Sequence, residues 1–594
     1  MSRVDPHSYF NSDQPLTSRL DWRFSVDFEG SRITGVANLF FDAPAEGALD
    51  LDTRGLSIRS VKTGEGRLVE YELGEPDEVL GTRLRLLLPQ GTKQVAVEYE
   101  TSPGATALQW LSPAQTAGKK HPYLFSQCQP HHARTMIPVQ DSPRVRIPYH
   151  AEVTVPESLR AVMSAGNSGE KDGARPGTRT FLFDMPQPIP TYLLALAVGN
   201  LAYKAVSDRS GVWAEPEVVD KAHWEFMGME EMIQKAEGLF GPYEWDQYDV
   251  LVLPPSFPYG GMENPRITFL TPTLLAGDRS LVAVVAHELA HSWTGNLVTN
   301  ATMNDFWLNE GFTVWAERRI LEAIKGREYT AMAWAIGRRG LDEAFERFGE
   351  DSPYTKLRTD LAGIDPDSMY SEVPYEKGAR FVALLEKTVG REQFDRFIAA
   401  YIKECKFTSI TTEEFLEFLH EKLPGVADKV GAEAWIYGTG LPANAPTFES
   451  ESLKRLEFLS SGWSEGRRPE SGEAEKWSPD EVLIYLQGLP RDMTLDECKW
   501  LDDTFGLMGQ GNYEILVEWL CIAAASGYQP AFGRIREVLS SVGRMKYIRP
   551  LYKALGRTPA SRALAKETFA AVKDSFHALT RRVAEEEMEA YPQD

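Results

Sequence analysis

His287, Glu288 and His291 form H-E-x-x-H, and Glu310 follows His291 by nineteen positions. On a helix, residues four apart lie one turn apart on the same face. Both imidazoles can therefore reach one ion, while Glu288 sits beside them without having to ligate it. A catalytic zinc takes three protein ligands and keeps one position open. His287, His291 and Glu310 would supply the three. Such an ion lowers the pKa of its water and polarises a carbonyl. Glu288 could then take the water's proton and pass it to a leaving amine. The alternative is a helix that carries two histidines by chance. Val282 to Ala286 is an unbroken apolar run, so the helix is expected to be buried nearly all round. Burying two imidazoles and a carboxylate without partners costs several kcal/mol, and a metal removes that cost.

Twenty-four residues before His287 lies Glu263, in Gly260-Gly261-Met262-Glu263-Asn264. Two glycines let one backbone come close to another, as an extended peptide requires. A carboxylate beside the metal can hold a free α-amino group and limit cleavage to the first residue. The same residues would also make a tight turn before a strand, with Glu263 in solvent. Their place just upstream of H-E-x-x-H favours the site.

These residues need elements to hold them. The first 200 residues read as strands: Trp22, Phe24, Val26 and Phe28 alternate with polar residues, as do Val95, Val97 and Tyr99. Period-two alternation with Gly, Pro and Asp breaks predicts antiparallel sheets. From Val218, KAHWEFMGMEEMIQKAEGLFG takes the 3.6-residue period of one amphipathic helix. A short strand, YDVLVLPP, precedes the GGMEN turn, and helical segments follow to about residue 437. Gly438, Gly440, Pro442 and Pro446 mark a linker. Beyond it the chain is helical in short pieces that could stack as a solenoid, though no repeat period stands out. The expected division is a β-rich domain over 1–200, a catalytic domain over 201–440, a linker over 441–453 and a helical domain over 454–594.

A net charge of −23 and a pI of about 5.1 argue against nucleic acid or an anionic membrane as a partner. The four cysteines, Cys128, Cys405, Cys498 and Cys521, are far apart and contain no C-x-x-C, as expected of free thiols in a reducing compartment. MSRVDPHSYFNSDQP has no apolar core of a signal peptide, and no apolar run approaches 18 residues. The expected location is the cytoplasm, with no obligate protein partner inferred.

GGMEN, H-E-x-x-H and N-E-G together resemble the M1 family of zinc aminopeptidases. PYGGMENP, TPTLLAGD, HSWTGNLVTN, FWLNEGFTVWAERRI, VPYEKG, LQWLSPAQT, YLFSQCQ and GRMKYIRPLYKAL are similar to its leukotriene A4 hydrolase-like branch. The resemblance implies an α+β multidomain fold: an N-terminal β-saddle, a thermolysin-like catalytic domain and a C-terminal α-helical domain, with the site between them. It implies one Zn²⁺ on His287, His291 and Glu310, with Glu288 as general base. Tyr375, held behind Pro374, would stabilise the oxyanion. Glu263 would anchor the amine, and Tyr259, Gly260, Gly261 and Met262 would line the substrate backbone. Gln127 and Gln129 would lie near the substrate amine and carbonyl. Asp367 would face the first side chain and favour Arg or Lys, beside Tyr370. Arg544 and Lys546 would grip the carboxylate of short peptides. By spacing, Glu317 shares the face of Glu310 and could orient a ligand histidine. The match departs at Phe312 and Thr313, where vertebrate members carry histidine; so close to a ligand, the change would alter the pocket wall. The function expected is aminopeptidase action on short peptides, with opening of a lipid epoxide, leukotriene A4, as the alternative.

Overall fold

A computed structural model of the chain describes residues 4–592. The alternating segment forms strand Arg19–Asp27, whose Leu20, Trp22, Phe24 and Val26 are buried. It pairs antiparallel with the long strand Arg32–Thr53, which pairs in turn with Thr82–Glu100. These three belong to an eight-stranded sheet. A second, four-stranded sheet contains Tyr123–Ser126, buried along its whole length, which delivers Gln127 and Gln129 towards the centre of the molecule.

A third sheet begins at Ala202–Ala205 and continues through Ser210–Ala214, Tyr248–Val252 and Ile267–Leu270 to a two-residue edge strand, Gly261–Met262. Gly261 pairs with Leu270 and Met262 with Phe269, antiparallel. The GGMEN turn therefore closes the sheet with a short exposed edge. The helix expected beyond Val218 is two helices, Val219–Phe226 and Met229–Phe240, because the period is interrupted at Gly228, which starts the second. Two further helices carry the H-E-x-x-H and Glu310 segments: the metal helix, Ala283–Ala290, and the glutamate helix, Trp307–Lys325. The metal helix is not buried all round. Ala283, Val284 and His287 face a cavity, so its apolar run packs the core on one side only.

Beyond the catalytic domain, Ser450 caps a helix over Glu451–Ser461, so the last residues of the expected linker are already helical. Helices Pro479–Gln487, Tyr513–Ala525, Met545–Leu555 and Ala578–Glu589 pack in succession as one layer, and Phe532–Ser541 packs on Pro559–Val572 in another. This two-layer stack is the solenoid-like C-terminal domain. No helix among the described residues is long and apolar enough to cross a membrane.

One contact sets the catalytic domain's geometry. A Cβ on Gly311 would stand 2.7 Å from the Gly378 Cα and 3.1 Å from the Pro374 carbonyl oxygen. The glutamate helix thus lies backbone-to-backbone against the start of helix Gly378–Val389. The Gly of N-E-G brings the Glu310 helix against the turn that carries Tyr375. Gly311→Ala is expected to cost about 1–3 kcal/mol by overpacking, read as a lower guanidinium midpoint of unfolding. An unchanged midpoint would contradict the contact.

Candidate active site

Within the catalytic domain, the ring nitrogens of His287 and His291 lie 3.2 Å apart, Nε2 to Nε2. Glu310 Oε2 lies 3.4 Å from His287 Nε2 and 3.3 Å from His291 Nε2. A tetrahedral zinc with bonds of 2.0–2.1 Å requires ligand atoms about 3.3–3.4 Å apart. The triangle fits that ion. Glu310 Oε2 is also buried without a hydrogen-bond donor, as an atom reserved for a metal would be.

The outer ring atoms support the same assignment. His287 Nδ1 meets Glu317 Oε2 at 3.1 Å, and His291 Nδ1 meets the Thr294 carbonyl at 3.0 Å. Both acceptors hold a proton on Nδ1 and leave Nε2 free to ligate. Thr313 Oγ1 lies 3.2 Å from His291 Nδ1 and donates to the same Thr294 carbonyl. Phe312 is buried in the core against Trp307 and Tyr401. The departure at Phe312 and Thr313 therefore does not touch the pocket wall; one residue packs the core and the other backs a ligand. Asn309 completes N-E-G: it accepts from the Asn300 amide at 2.8 Å and donates to the Tyr192 hydroxyl at 3.1 Å, which fixes the start of the glutamate helix.

Electrostatics follow from burial. It opposes charge on Glu310, but the two imidazoles outweigh it and hold the carboxyl low. Burial pushes Glu288 up to about 7, against the pull of His287 and His291. A nearby cation draws such a carboxyl down again. A Cβ on Gly261 would stand 2.3 Å from Glu288 Oε1, so the edge strand and this carboxylate are in contact only because residue 261 has no side chain. Carboxylate oxygens of Glu263 and Glu288 and a ring nitrogen of His291 lie within 4.8 Å of one another. Burial raises the Glu263 pKa, with Glu310 acting in the same direction and His291 against it.

These groups line a cavity of about 500 Å³. Gln129 reaches it and donates to Glu263 Oε1 at 3.1 Å. Gln127 does not: it is 3 % exposed, behind the edge strand, with its amide on Met262 Sδ at 3.2 Å. The strand ends at Ser126, and beyond it only Gln129 of the SQCQ run lines the cavity wall. Tyr259, Tyr370 and Tyr375 form one wall, with ring centroids 5.8 Å and 5.9 Å apart in sequence. Tyr375 lies in a π-helical turn, Val373–Lys377, rather than at a regular helix start. Its ring stacks 6.1 Å from that of His287. Burial and Glu310 push its phenol well above the ordinary value, so it keeps its proton. The next residue, Glu376, is held between Arg318 and Arg380, and Arg318 stacks 3.9 Å from the Trp334 ring.

Asp367 lines the cavity, and its Oδ2 meets His132 Nε2 at 2.8 Å. His132 Nδ1 in turn meets Thr106 Oγ1 at 2.8 Å. Nothing in the sequence marks His132 beyond its place three residues after Gln129. At the far wall, Gly543 and Met545 donate backbone hydrogen bonds to the Pro255 and Pro258 carbonyls, each bond close to 2.9 Å. A Cβ at Gly543 would stand 2.8 Å from the Pro255 oxygen, so the Gly of G-R-M-K seats Arg544 against the loop leading to Gly260. Lys546 lines the same wall, with half its side chain in solvent.

Two facing helices with a His-His-Glu triangle, and a carboxylate base against a sheet edge, define a zinc hydrolase. Profiles described as Peptidase M1 N-terminal domain, Peptidase family M1 domain and Leukotriene A4 hydrolase, C-terminal match residues 14–193, 224–435 and 477–588. The chain is 36% identical over 607 positions to leukotriene A-4 hydrolase of Xenopus laevis, covering 98% of this chain and 99% of that protein. It is 37% identical over 616 positions to leucine aminopeptidase 2 of Yarrowia lipolytica, covering 98% and 93%. The structure of yeast LTA4 hydrolase in complex with bestatin superposes with a TM-score of 0.92 at 32% identity, covering 98% of this chain and 97% of that one. The chain belongs to the M1 peptidase family, in its leukotriene A4 hydrolase-like branch, with the three-domain fold of that branch. It is a zinc-dependent aminopeptidase.

Glu317→Ala is expected to weaken zinc binding about 10- to 100-fold, measured by competition with a chelator. Unchanged affinity would show that the Glu317 contact does not orient His287.

Proposed function

We propose that the enzyme releases the N-terminal residue from short peptides, with Glu263 as amine anchor, Glu288 as general base and Tyr375 as oxyanion donor. The observation that carries this reading is the Glu263 carboxylate, within 4.8 Å of Glu288 and the His291 ring. In any amino acid, the α-nitrogen and carbonyl carbon are only about 2.5 Å apart. An amine held by Glu263 therefore brings the first peptide bond, and no later one, to the metal ligands. The substrate backbone would lie along Gly260 and Gly261 as an added edge strand.

His287, His291 and Glu310 would hold a zinc ion, which would supply Lewis acidity towards water and the scissile carbonyl. Glu288 takes a proton from the attacking water and delivers it to the leaving nitrogen. Tyr375 donates its phenolic proton as a hydrogen bond to the negative charge growing on the carbonyl oxygen. Gln129 helps hold Glu263 for the amine. Asp367 faces the first side chain and, as an anion, favours Arg or Lys there. Arg544, with Lys546 beside it on the same wall, closes the far end for a C-terminal carboxylate, which limits the preferred length to two or three residues.

The relative named leucine aminopeptidase 2 supports this reading, and the one named leukotriene A-4 hydrolase bears on the second. Four unpaired thiols support a reducing, cytoplasmic location. The domain divisions are proposed at residues 200 and 440, consistent with a four-stranded sheet whose last strand in sequence ends at Gly199. The second reading, hydrolysis of a lipid epoxide, rests on Met303, Phe306, Leu357, Leu361 and Met369, apolar residues lining the same cavity as Asp367 and Tyr370.

One substrate panel tests these points: aminoacyl-anilides, tripeptides and their amides, and leukotriene A4, each with and without chelator. Chelator-sensitive cleavage led by N-terminal Arg or Lys is expected, with the preference lost in Asp367→Asn. Activity that survives complete zinc removal would overturn the mechanism. A panel led by large apolar residues and unchanged by Asp367→Asn would reject the role of Asp367. Leukotriene A4 as the best substrate would favour the second reading.

A further inference from the structure

Arg544 and Lys546 are two residues apart at the same end of the cavity, yet their surroundings differ. Lys546 Nζ meets both carboxylate oxygens of Glu514, at 2.9 Å and 2.8 Å. Its charge is matched, and half of its side chain is in solvent. Arg544 is buried, and its Nη1 lies 3.5 Å from Glu514 Oε1. That nitrogen donates instead to the Tyr547 hydroxyl at 2.8 Å, which donates to Glu514 at 2.9 Å. Arg544 Nε is buried with no acceptor. Nη2 faces the substrate track, where a Cβ on Gly260 would stand 2.7 Å away. Glu514 stays charged: burial opposes its ionisation, but Lys546 and Arg544 hold its carboxyl below the ordinary range.

We propose that Glu514 is a specificity-determining residue: it engages Lys546 and thereby leaves Arg544 for the substrate's C-terminal carboxylate. Lys546 then acts through Glu514 and does not itself touch the substrate. The inference rests on the reading of this wall as a carboxylate site, and it assigns the two cations different roles. Without Lys546, Glu514 is free to close the 3.5 Å gap and occupy the guanidinium. It becomes a competitor of the same chemistry as the substrate's own terminus.

The test is the ratio of kcat/KM for a tripeptide to that for its C-terminal amide, in the wild type, Lys546→Met, Glu514→Gln and the double variant. A ratio does not depend on the fraction of folded, zinc-loaded enzyme, so partial misfolding does not blur it. The wild-type ratio is expected to exceed one. Lys546→Met should lower it on the order of tenfold, about the worth of one charge-assisted hydrogen bond, through KM. Glu514→Gln should raise it, because a competing anion is gone. The double variant should recover at least the wild-type ratio. If the loss in Lys546→Met persists in the double variant, Lys546 contacts the substrate directly and the proposal fails. A lower ratio in Glu514→Gln also overturns it, since Glu514 would then only hold the cations in place. A wild-type ratio of one rejects the carboxylate site itself, and the inference with it.

Discussion

Two imidazoles and a carboxylate, largely buried with their facing atoms within 3.4 Å of one another, form a donor set whose burial a divalent cation would offset. Removing a charge from water costs several kcal/mol. A divalent ion offsets that cost only if the donors meet it with little distortion. The donors come from two separate helices, so the helices must be fixed to within a fraction of an ångström. The surrounding residues serve that requirement. Gly311 and Gly378 let two backbones touch. Asn309 pins the start of the glutamate helix. Thr294, Thr313 and Glu317 set the rings. Glu376, clamped between Arg318 and Arg380, ties the Tyr375 turn to the helix that carries Glu310.

A second constraint is direction. The sheet edge at Gly261–Met262 is short and open on one side, so an extended peptide has one backbone to pair with. The Glu263 carboxylate stands at one end of that track and the Arg544 guanidinium at the other. One end belongs to the catalytic domain and the other to the helical domain, joined by the hydrogen bonds of Gly543 and Met545 to the Pro255–Pro258 loop. In the proposed reaction, the domain interface measures the substrate: its amine and its carboxylate must both find a partner across it.

Much of this was legible in the chain itself. H-E-x-x-H declares a geometry, because helical spacing fixes where the two rings point, and Glu310 and Glu317 lie seven residues apart on one face. GGMEN declares a close approach, and the structure gives its reason in the contact of Gly261 with Glu288. Partners distant in sequence left no local mark. Nothing near Glu514 shows that it pairs with Lys546, thirty-two residues on. His132 reaches Asp367 across 235 positions. Gln127 and Gln129, two apart in SQCQ, would share a face in an extended strand, but the strand ends at Ser126, and the chain beyond it leaves one on Met262 and brings the other to Glu263. Phe312 and Thr313 read as pocket residues by adjacency to N-E-G, yet the helix turns both away from the cavity.

In the proposed mechanism the metal site and the base are separable: His287, His291 and Glu310 hold zinc, and Glu288 moves the proton. The most direct test is Glu288→Gln, with zinc content and peptide turnover measured on the same sample. Glutamine keeps the shape and removes the basicity. One zinc per chain should remain, with kcat/KM for a good tripeptide substrate lower by at least about 10²-fold. Full zinc occupancy with near-normal turnover would contradict the account.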